Sequence, residues 1–254
     1  MRILAINELL EEFRFVDRLL EVVKETPIDA VVFTGNILRA EARNAEWQRA
    51  LAEHRTPSLN QPEVVREREN DAQSLNRFFK LLSSLGVPAY LVPGRNDAPE
   101  WFFLQAAFNS EIVAAKVYNV HRSFAPLSGS WIVAGYGGEI TKGERDHEFF
   151  LRYPGWEAEF SLDFLRHLDQ NKVLLFYTPP VEPYEGQVQS GGHEMVSHII
   201  KTYTPHFVFC TPPGGHRGKL VLANTLIVFP GRLSEGEYAV LDTKERDVAF
   251  GNLR

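Results

Sequence analysis

The sequence predicts an α/β domain organised around parallel strands, and three observations carry that prediction. Between two apolar runs, 2–6 and 30–34, Val16, Leu19, Leu20 and Val23 recur at i, i+3, i+4 and i+7. That is one apolar helical face lying on a sheet, so the three segments form a βαβ unit with neighbouring strands. The runs 30–34, 173–176 and 207–210 are apolar throughout rather than alternating, the pattern of strands buried on both faces. Successive strands also end in glycine-bearing or polar turns, and open α/β sheets place their ligand sites at such carboxyl ends.

Strand 2–6 ends at Asn7-Glu8, the first helix stops at Thr26-Pro27, and strand 30–34 ends at Gly35-Asn36. Residues 39–70 break the pattern, being dense in Arg and Glu with an Ala/Leu/Trp stripe around Trp47. They read as an exposed helical and loop excursion, and composition favours a solvated face over a partner-docking arm. A helix resumes near Asp71, with Leu75, Phe78, Phe79, Leu82 and Leu85 on one face and Gly86 as its cap. Strand 89–92 then opens onto Pro93-Gly94-Arg95-Asn96-Asp97. Pro99, its φ fixed, starts a helix over 101–108, with Glu100 at its positive end. Next, 112–114 and 116–120 are weak strand candidates, 131–134 leads into the Gly135-Tyr136-Gly137-Gly138 turn, and 142–156 reads as loop. A helix carries Phe160, Phe164, Leu165 and Leu168, and strand 173–176 ends at Tyr177. A loop through Gly191-Gly192 precedes a helix with Val196, Ile199, Ile200 and Tyr203. Strand 207–210 ends in Thr211-Pro212-Pro213-Gly214-Gly215-His216, and 220–223, 225–229 and 238–243 read as antiparallel strands. No linker or repeat interrupts 1–254, so one domain is expected.

Composition narrows the function classes. A hydrophobic content of 44% with 24% charged residues is ordinary for a soluble globular chain. The net charge of −6 argues against nucleic acid as the partner, because phosphate neutralisation needs clustered Lys and Arg. The single Cys210, in an apolar run, gives no internal disulfide and no thiolate-rich metal site. No run reaches membrane-spanning length, and the chain opens directly on a strand, so no signal peptide and a cytoplasmic location are expected.

Loops at five strand ends, with VPGxxDAP at 92–99, GxGG at 135–138 and PGxLSEGEY at 230–238, resemble the calcineurin-like metallophosphoesterase superfamily. The nearest likeness is to its small bacterial phosphoesterase-like branch, over nearly the whole chain. The resemblance implies a four-layer αββα sandwich of two mixed β-sheets. It also implies a two-metal site, which active members build from D-x-H, G-D, G-N-H-D, a His after the fourth strand, and G-H-x-H. Carried over by position, Glu8 stands for the first Asp, Leu10 for its His, and Asn36 for the bridging Asp. Arg95 replaces the Asn ligand, Asn96 replaces the catalytic His, and Asp97 is kept. Tyr177 takes the place of the fourth-strand His, and Pro212 and Gly214 that of the last two.

Two divalent cations about 3.5–4 Å apart need bridging carboxylate and several imidazoles. Asn36 offers only a neutral oxygen, Leu10, Pro212 and Gly214 no side-chain donor, and Arg95 a fixed positive charge. The expectation is an inactive homologue with no cofactor and no catalytic residue assigned. Two uses of its cleft stay open: a pocket for a phosphate-containing small molecule, or an interaction scaffold. The candidate ligand-binding residues are Glu8, Asn36, Arg95, Asn96, Asp97, Tyr177, Gly214 and His216. Amides of Gly94, Gly137 and Gly214, and charge from Arg217 and Lys219, are expected to help hold an anion. An Arg95–Glu8 ion pair would hold the loops where metals would otherwise sit. The alternative is a weak phosphoesterase with one Mg²⁺ or Mn²⁺ on Glu8, Asn36 and Asp97, against which Asp97 can instead cap its own turn. Trp131, Trp156 and the group Phe149, Phe150 and Tyr153 are candidate anchors of a homo-oligomer.

Overall fold

A computed structural model describes residues 1–113, 116–182 and 192–254. The first half contributes β1 (Arg2–Ile6), α1 (Val16–Glu25), β2 (Ala30–Phe33), α2 (Glu41–Ala52), α3 (Pro62–Ser84), β3 (Ala89–Leu91), α4 (Glu100–Val113) and β4 (Val117–Asn119). Then come β5 (Ser123–Ser128), β6 (Trp131–Tyr136), β7 (Glu139–Thr141), β8 (Arg152–Pro154), α5 (Gly155–Ser161) and β9 (Asn171–Phe176). The chain closes with α6 (Glu194–Tyr203), β10 (Phe207–Cys210), β11 (Gly218–Leu222), β12 (Thr225–Phe229), β13 (Glu237–Asp242) and β14 (Asp247–Asn252). Two six-stranded sheets result, ordered β14-β13-β1-β2-β3-β4 and β11-β12-β10-β9-β6-β5, with a small β7–β8 pair. β1 to β4 run parallel, as do β6, β9, β10 and β12, while β13, β14, β5 and β11 run antiparallel to their neighbours.

Alternate residues of each central strand face different cores, which is why these runs are apolar without interruption. Leu4, Ile6, Val31 and Phe33 pack under α1, α3 and α4, while Ile3, Ala5, Ala30 and Val32 point between the sheets. There they meet Val173, Leu175, Phe207 and Phe209 of the second sheet, whose Leu174, Phe176, Val208 and Cys210 turn outward under α5 and α6. The layers are thus helix, sheet, sheet, helix, with the carboxyl ends of the parallel strands at one edge. Cys210 is buried and burial pushes its thiol up, so it behaves as a core residue.

Several elements differ from the sequence expectation. α4 runs on to Val113, so Ile112 and Val113 are helical, while Ala114 and Gly191 lie outside the described residues. Within 142–156, read as loop, the chain forms β8 and starts α5, and Phe149, Phe150 and Tyr153 are buried. The helix expected over Phe160 to Leu168 is α5 followed by a short 3₁₀ turn. The closing strands do not form one antiparallel set. β12 pairs parallel with β10 in one sheet, β13 joins β1 in the other, and β14 carries too little apolar alternation to stand out.

The largest correction concerns 39–70. It holds two helices, α2 and the first turns of an α3 that begins at Pro62, joined by a loop. Although much of it is exposed as expected, one face is packed and charged residues lie inside it. Arg43 is fully buried: its Nη2 donates to Asp71 (2.8 Å), its Nε to Glu67 (3.0 Å) and its Nη1 to the Ala98 carbonyl (2.9 Å). Trp47 packs on Phe149 and Phe150, with ring centroids 5.8 and 5.4 Å apart. Charged residues that pair with each other inside a fold look in sequence like a solvated face. Arg43→Ala strands two carboxylates and is expected to cost about 3 kcal/mol, a fall in Tm on the order of 10 °C, measurable by thermal denaturation; no shift would mean that α2 is not held by this network.

Candidate functional site: a cleft lined by paired arginines

At the carboxyl edge, two adjoining hollows of about 490 and 450 Å³ share Glu8, Arg95 and Tyr177. Their frame is backbone packed on backbone. A Cβ on Gly35 would lie 2.2 Å from the Gly94 nitrogen, one on Gly94 2.2 Å from Asn36 Oδ1, and one on Gly137 2.4 Å from the Pro93 carbonyl. Glycine is required here because the loops after β2, β3 and β6 touch directly. The loop after β1 joins them through Leu10 N–H to Asn36 O (3.2 Å) and Glu11 N–H to Ile37 O (2.9 Å). Glu8 itself sits at φ +47, a left-handed conformation that side chains other than glycine, Asn and Asp seldom adopt.

Of the candidate residues, Glu8, Asn36, Arg95, Asn96, Tyr177 and Gly214 line the hollows. Asp97 is fully buried beneath them. Its Oδ1 accepts from Ile37 N–H (2.8 Å) and Leu38 N–H (3.0 Å), and its Oδ2 accepts from Gly94 N–H (2.7 Å). It therefore caps its own turn and pins the loop after β2 to the one after β3; burial pushes its carboxyl up to about 6 against the pull of those amides. Asn36 and Asn96 are also committed to the frame. Asn36 Oδ1 accepts from Asn96 N–H (2.8 Å), Asn36 Nδ2 donates to the Tyr177 hydroxyl (3.1 Å), and Asn96 Nδ2 donates to the Arg39 carbonyl (2.8 Å). Burial raises the Tyr177 phenol, with the Glu8 charge adding to it.

The expected Arg95–Glu8 pair is replaced by two others. Glu8 Oε2 accepts from Arg232 Nε (2.8 Å), and Arg95 Nε lies 3.2 Å from Glu139 Oε2. Arg95 is held off Glu8 from two sides: its Nη1 donates to Asn44 Oδ1 (3.0 Å), and its guanidinium stands 3.5 Å over the Phe150 ring. Glu139 is shared with Arg152, 3.1 Å away. Burial raises the Glu8 carboxyl while Arg232 opposes the shift, and burial lowers Arg95 while Glu139 opposes that. A Cβ at Gly215 would meet the Arg232 guanidinium at 2.4 Å, so the glycines after β10 make room for this arginine. Sequence reasoning missed Arg232, the variable position of the PGxLSEGEY stretch, and also missed Glu139, Arg152, Arg39 and Asn44, which lie in segments read as turn, loop or excursion.

Other expectations fall away. Gly94 N–H is spent on Asp97, and Gly137 N–H donates to His121 Nδ1 (2.8 Å), so neither faces an anion. His216 is exposed, Lys219 pairs with Asp247 (3.5 Å) and Arg217 with Glu237 (4.0 Å), and none of the three lines the hollows. Among the described residues no group of three or more His, Cys, Asp or Glu is placed to hold a metal ion. With Glu8 bound by Arg232 and Asp97 turned into the frame, the side chains present do not fit a pair of metal ions.

The fold and the position of the cleft are those of metallophosphoesterases. The chain belongs to that family: the model described as metallophosphoesterase, calcineurin superfamily, matches residues 1–253. One crystal structure is 33% identical over 100% of this chain and 99% of its own, with a TM-score of 0.90. TT1561 of Thermus thermophilus is 32% identical, covers 100% of this chain and 99% of its own, and superposes with a TM-score of 0.82. A phosphatase of Mycoplasma pneumoniae, 9% identical over 98% of this chain and 90% of its own, shares the fold at a TM-score of 0.51. No curated protein matches the chain. Among the described residues no helix is long and apolar enough to cross a membrane.

Beside the cleft, Glu100 is buried among Arg122 (3.0 Å), Arg145 (2.9 Å), Tyr153 (3.0 Å) and His121 (3.7 Å). Burial would raise its carboxyl, but His121, Arg122 and Tyr153 together hold it at about 2. Burial pushes His121 down to about 4. A histidine kept neutral in the fold but protonated in the unfolded chain loses stability as pH falls from about 6.5 to about 4, by up to about 3 kcal/mol. Glu100 adds a further loss as pH falls from its unfolded value of 4.5 toward 2. Burial raises the Asp97 and Asp71 carboxyls and so acts in the opposite sense over this range. The His121 contribution is therefore read by difference: Tm of His121→Gln should fall less, relative to the parent chain, between pH 6.5 and 4; equal slopes in both proteins would refute this assignment.

Proposed function

We propose that this metallophosphoesterase-fold chain binds a phosphate-containing small molecule on arginines and does not hydrolyse it through a metal pair. The observation that carries this reading is the lining of the second hollow. Arg95, Arg152 and Arg232 face it with only Glu8 and Glu139 between them, leaving one net positive charge. A guanidinium presents a planar fork of donors that matches phosphate oxygens, and aromatic rings back two of the three, Phe150 under Arg95 and Trp47 under Arg152. The adjoining hollow has the opposite bias, with Glu8, Glu12 and Glu41 against Arg39 and Arg95. A ligand lying across both would put its phosphate among the arginines and hydrogen-bond donors, such as an amine or hydroxyls, on the acidic side.

Catalysis in the family's manner has weak support in these residues. Asn96, where the resemblance places an imidazole, has no titratable proton to give a leaving group, and its amide is spent on the loop carbonyls. Calorimetry in EDTA against inorganic phosphate, nucleotides and aminoalkyl phosphates should show binding. Arg95→Gln and Arg152→Gln should each weaken it about 10- to 100-fold, the worth of a charge-assisted hydrogen bond, without loss of Tm. Glu139→Gln, which removes the competing carboxylate, should tighten it. Silence across the panel would refute the reading, and phosphodiester turnover with Mn²⁺ that EDTA abolishes would replace it with a metal-dependent one.

A further inference from the structure

On α4, Trp101, Leu104, Phe108 and Ile112 follow one another at i, i+3, i+7 and i+11, a single line along the helix. They are 56%, 37%, 63% and 69% exposed, while Phe103 and Ala107 on the opposite side fill the core. The stripe runs about 16 Å and offers roughly 400–500 Å² of apolar surface, about the largest patch that a monomer ordinarily shows. At its amino end Trp101 forms one wall of an apolar groove of about 460 Å³ whose other walls include Leu59, Val65, Pro99 and Phe102.

We infer that this face is where a second copy of the chain docks, with the two α4 helices antiparallel about a two-fold axis that crosses the stripe between Leu104 and Phe108. Three observations favour that occupant. The stripe is self-complementary in the antiparallel sense, as a two-fold interface requires: Leu104 meets Phe108 of the partner subunit, and Ile112 of the partner subunit reaches the groove beside Trp101. The area fits a weak, concentration-dependent pair, because two stripes facing each other would bury roughly 800–1,000 Å² in total, about the lower bound for a specific interface. The charge is right as well. The only ionisable residues of α4 are Glu100 and Glu111, the first buried among arginines and the second accepting from Asn119 N–H (2.6 Å). Neither carboxylate of α4 therefore stands free in the stripe, and in the groove Glu69 is accompanied by Arg68, so the face is near neutral although the chain carries −6 overall. A lipid surface would call for Lys or Arg flanking the apolar line, and α4 has none.

This relocates the oligomer anchors expected from sequence. Phe149, Phe150 and Tyr153 are core, and Trp131 stacks on Phe207. Trp156 and Phe160 on α5 are exposed, at 65% and 78%. They are the rival face.

Sedimentation velocity over about 1–200 μM should show a concentration-dependent dimer. Phe108→Glu should shift it to monomer at least tenfold higher in concentration with Tm unchanged, whereas Trp156→Glu should leave it intact. Because the one native cysteine is buried, Gln105→Cys near the axis should cross-link rapidly between subunits, and Lys24→Cys on α1 should not. A monomer throughout the range would overturn the inference. So would a dimer insensitive to Phe108→Glu, or one lost with Trp156→Glu.

Discussion

The cleft depends on one carboxylate. Asp97 accepts hydrogen bonds from the N–H groups of Gly94, Ile37 and Leu38, so it ties the loops after β2 and β3 together. Asn36 reinforces the join by accepting from Asn96 N–H, and the Gly35–Gly94 contact leaves no space for a side chain between them. Hydrogen bonds to an ionised acceptor are roughly twice as strong as neutral ones, and here they are shielded from water. What faces the cleft is therefore set by backbone geometry first: Arg95 points outward because its neighbour Asp97 is held inward.

Charge then ties layers together. Arg232, in the crossover from β12 of one sheet to β13 of the other, reaches Glu8 at the end of β1. Arg95, after β3, shares Glu139 of the small β7–β8 pair with Arg152. Ion pairs of this kind fix geometry more surely than they add stability. They also leave the cleft partly self-neutralised, so on the proposed reading a phosphate would displace a carboxylate from its arginines rather than meet bare charge.

Most of the scaffold was legible in the sequence, because a strand buried on both faces writes an uninterrupted apolar run. β1, β10 and β12 fall at the expected residues, and the resemblance drawn from the 92–99 and 230–238 stretches agrees with the family and the four layers. What stayed hidden depends on pairing in space. Arg43 and Trp47 read as a solvated excursion because a buried ion network and an exposed one have the same composition. Arg232 was invisible as a partner of Glu8, 224 residues away in the chain. The outward stripe of α4 was cut short because Ile112 and Val113, β-branched and apolar, favour a strand by propensity, yet the helix continues through them.

The two uses of the cleft can be weighed by what each would have to break. To ligate a metal, Asp97 would have to turn away from three amides and Glu8 from Arg232, with Arg95 still directing a positive charge into the same space. Leaving three buried amides without acceptors costs about 1–3 kcal/mol apiece, and the cation would gain no second carboxylate from the other lining loops that is not already paired with an arginine. To receive a phosphate, the frame stays intact and only the Glu139 bridge need loosen, since Arg95 keeps Asn44 and the Phe150 face while its outer N–H groups turn to the ligand. The cheaper rearrangement is the one that keeps Asp97 where it is, and that difference in cost is what favours the proposed anion on guanidinium groups over a metal.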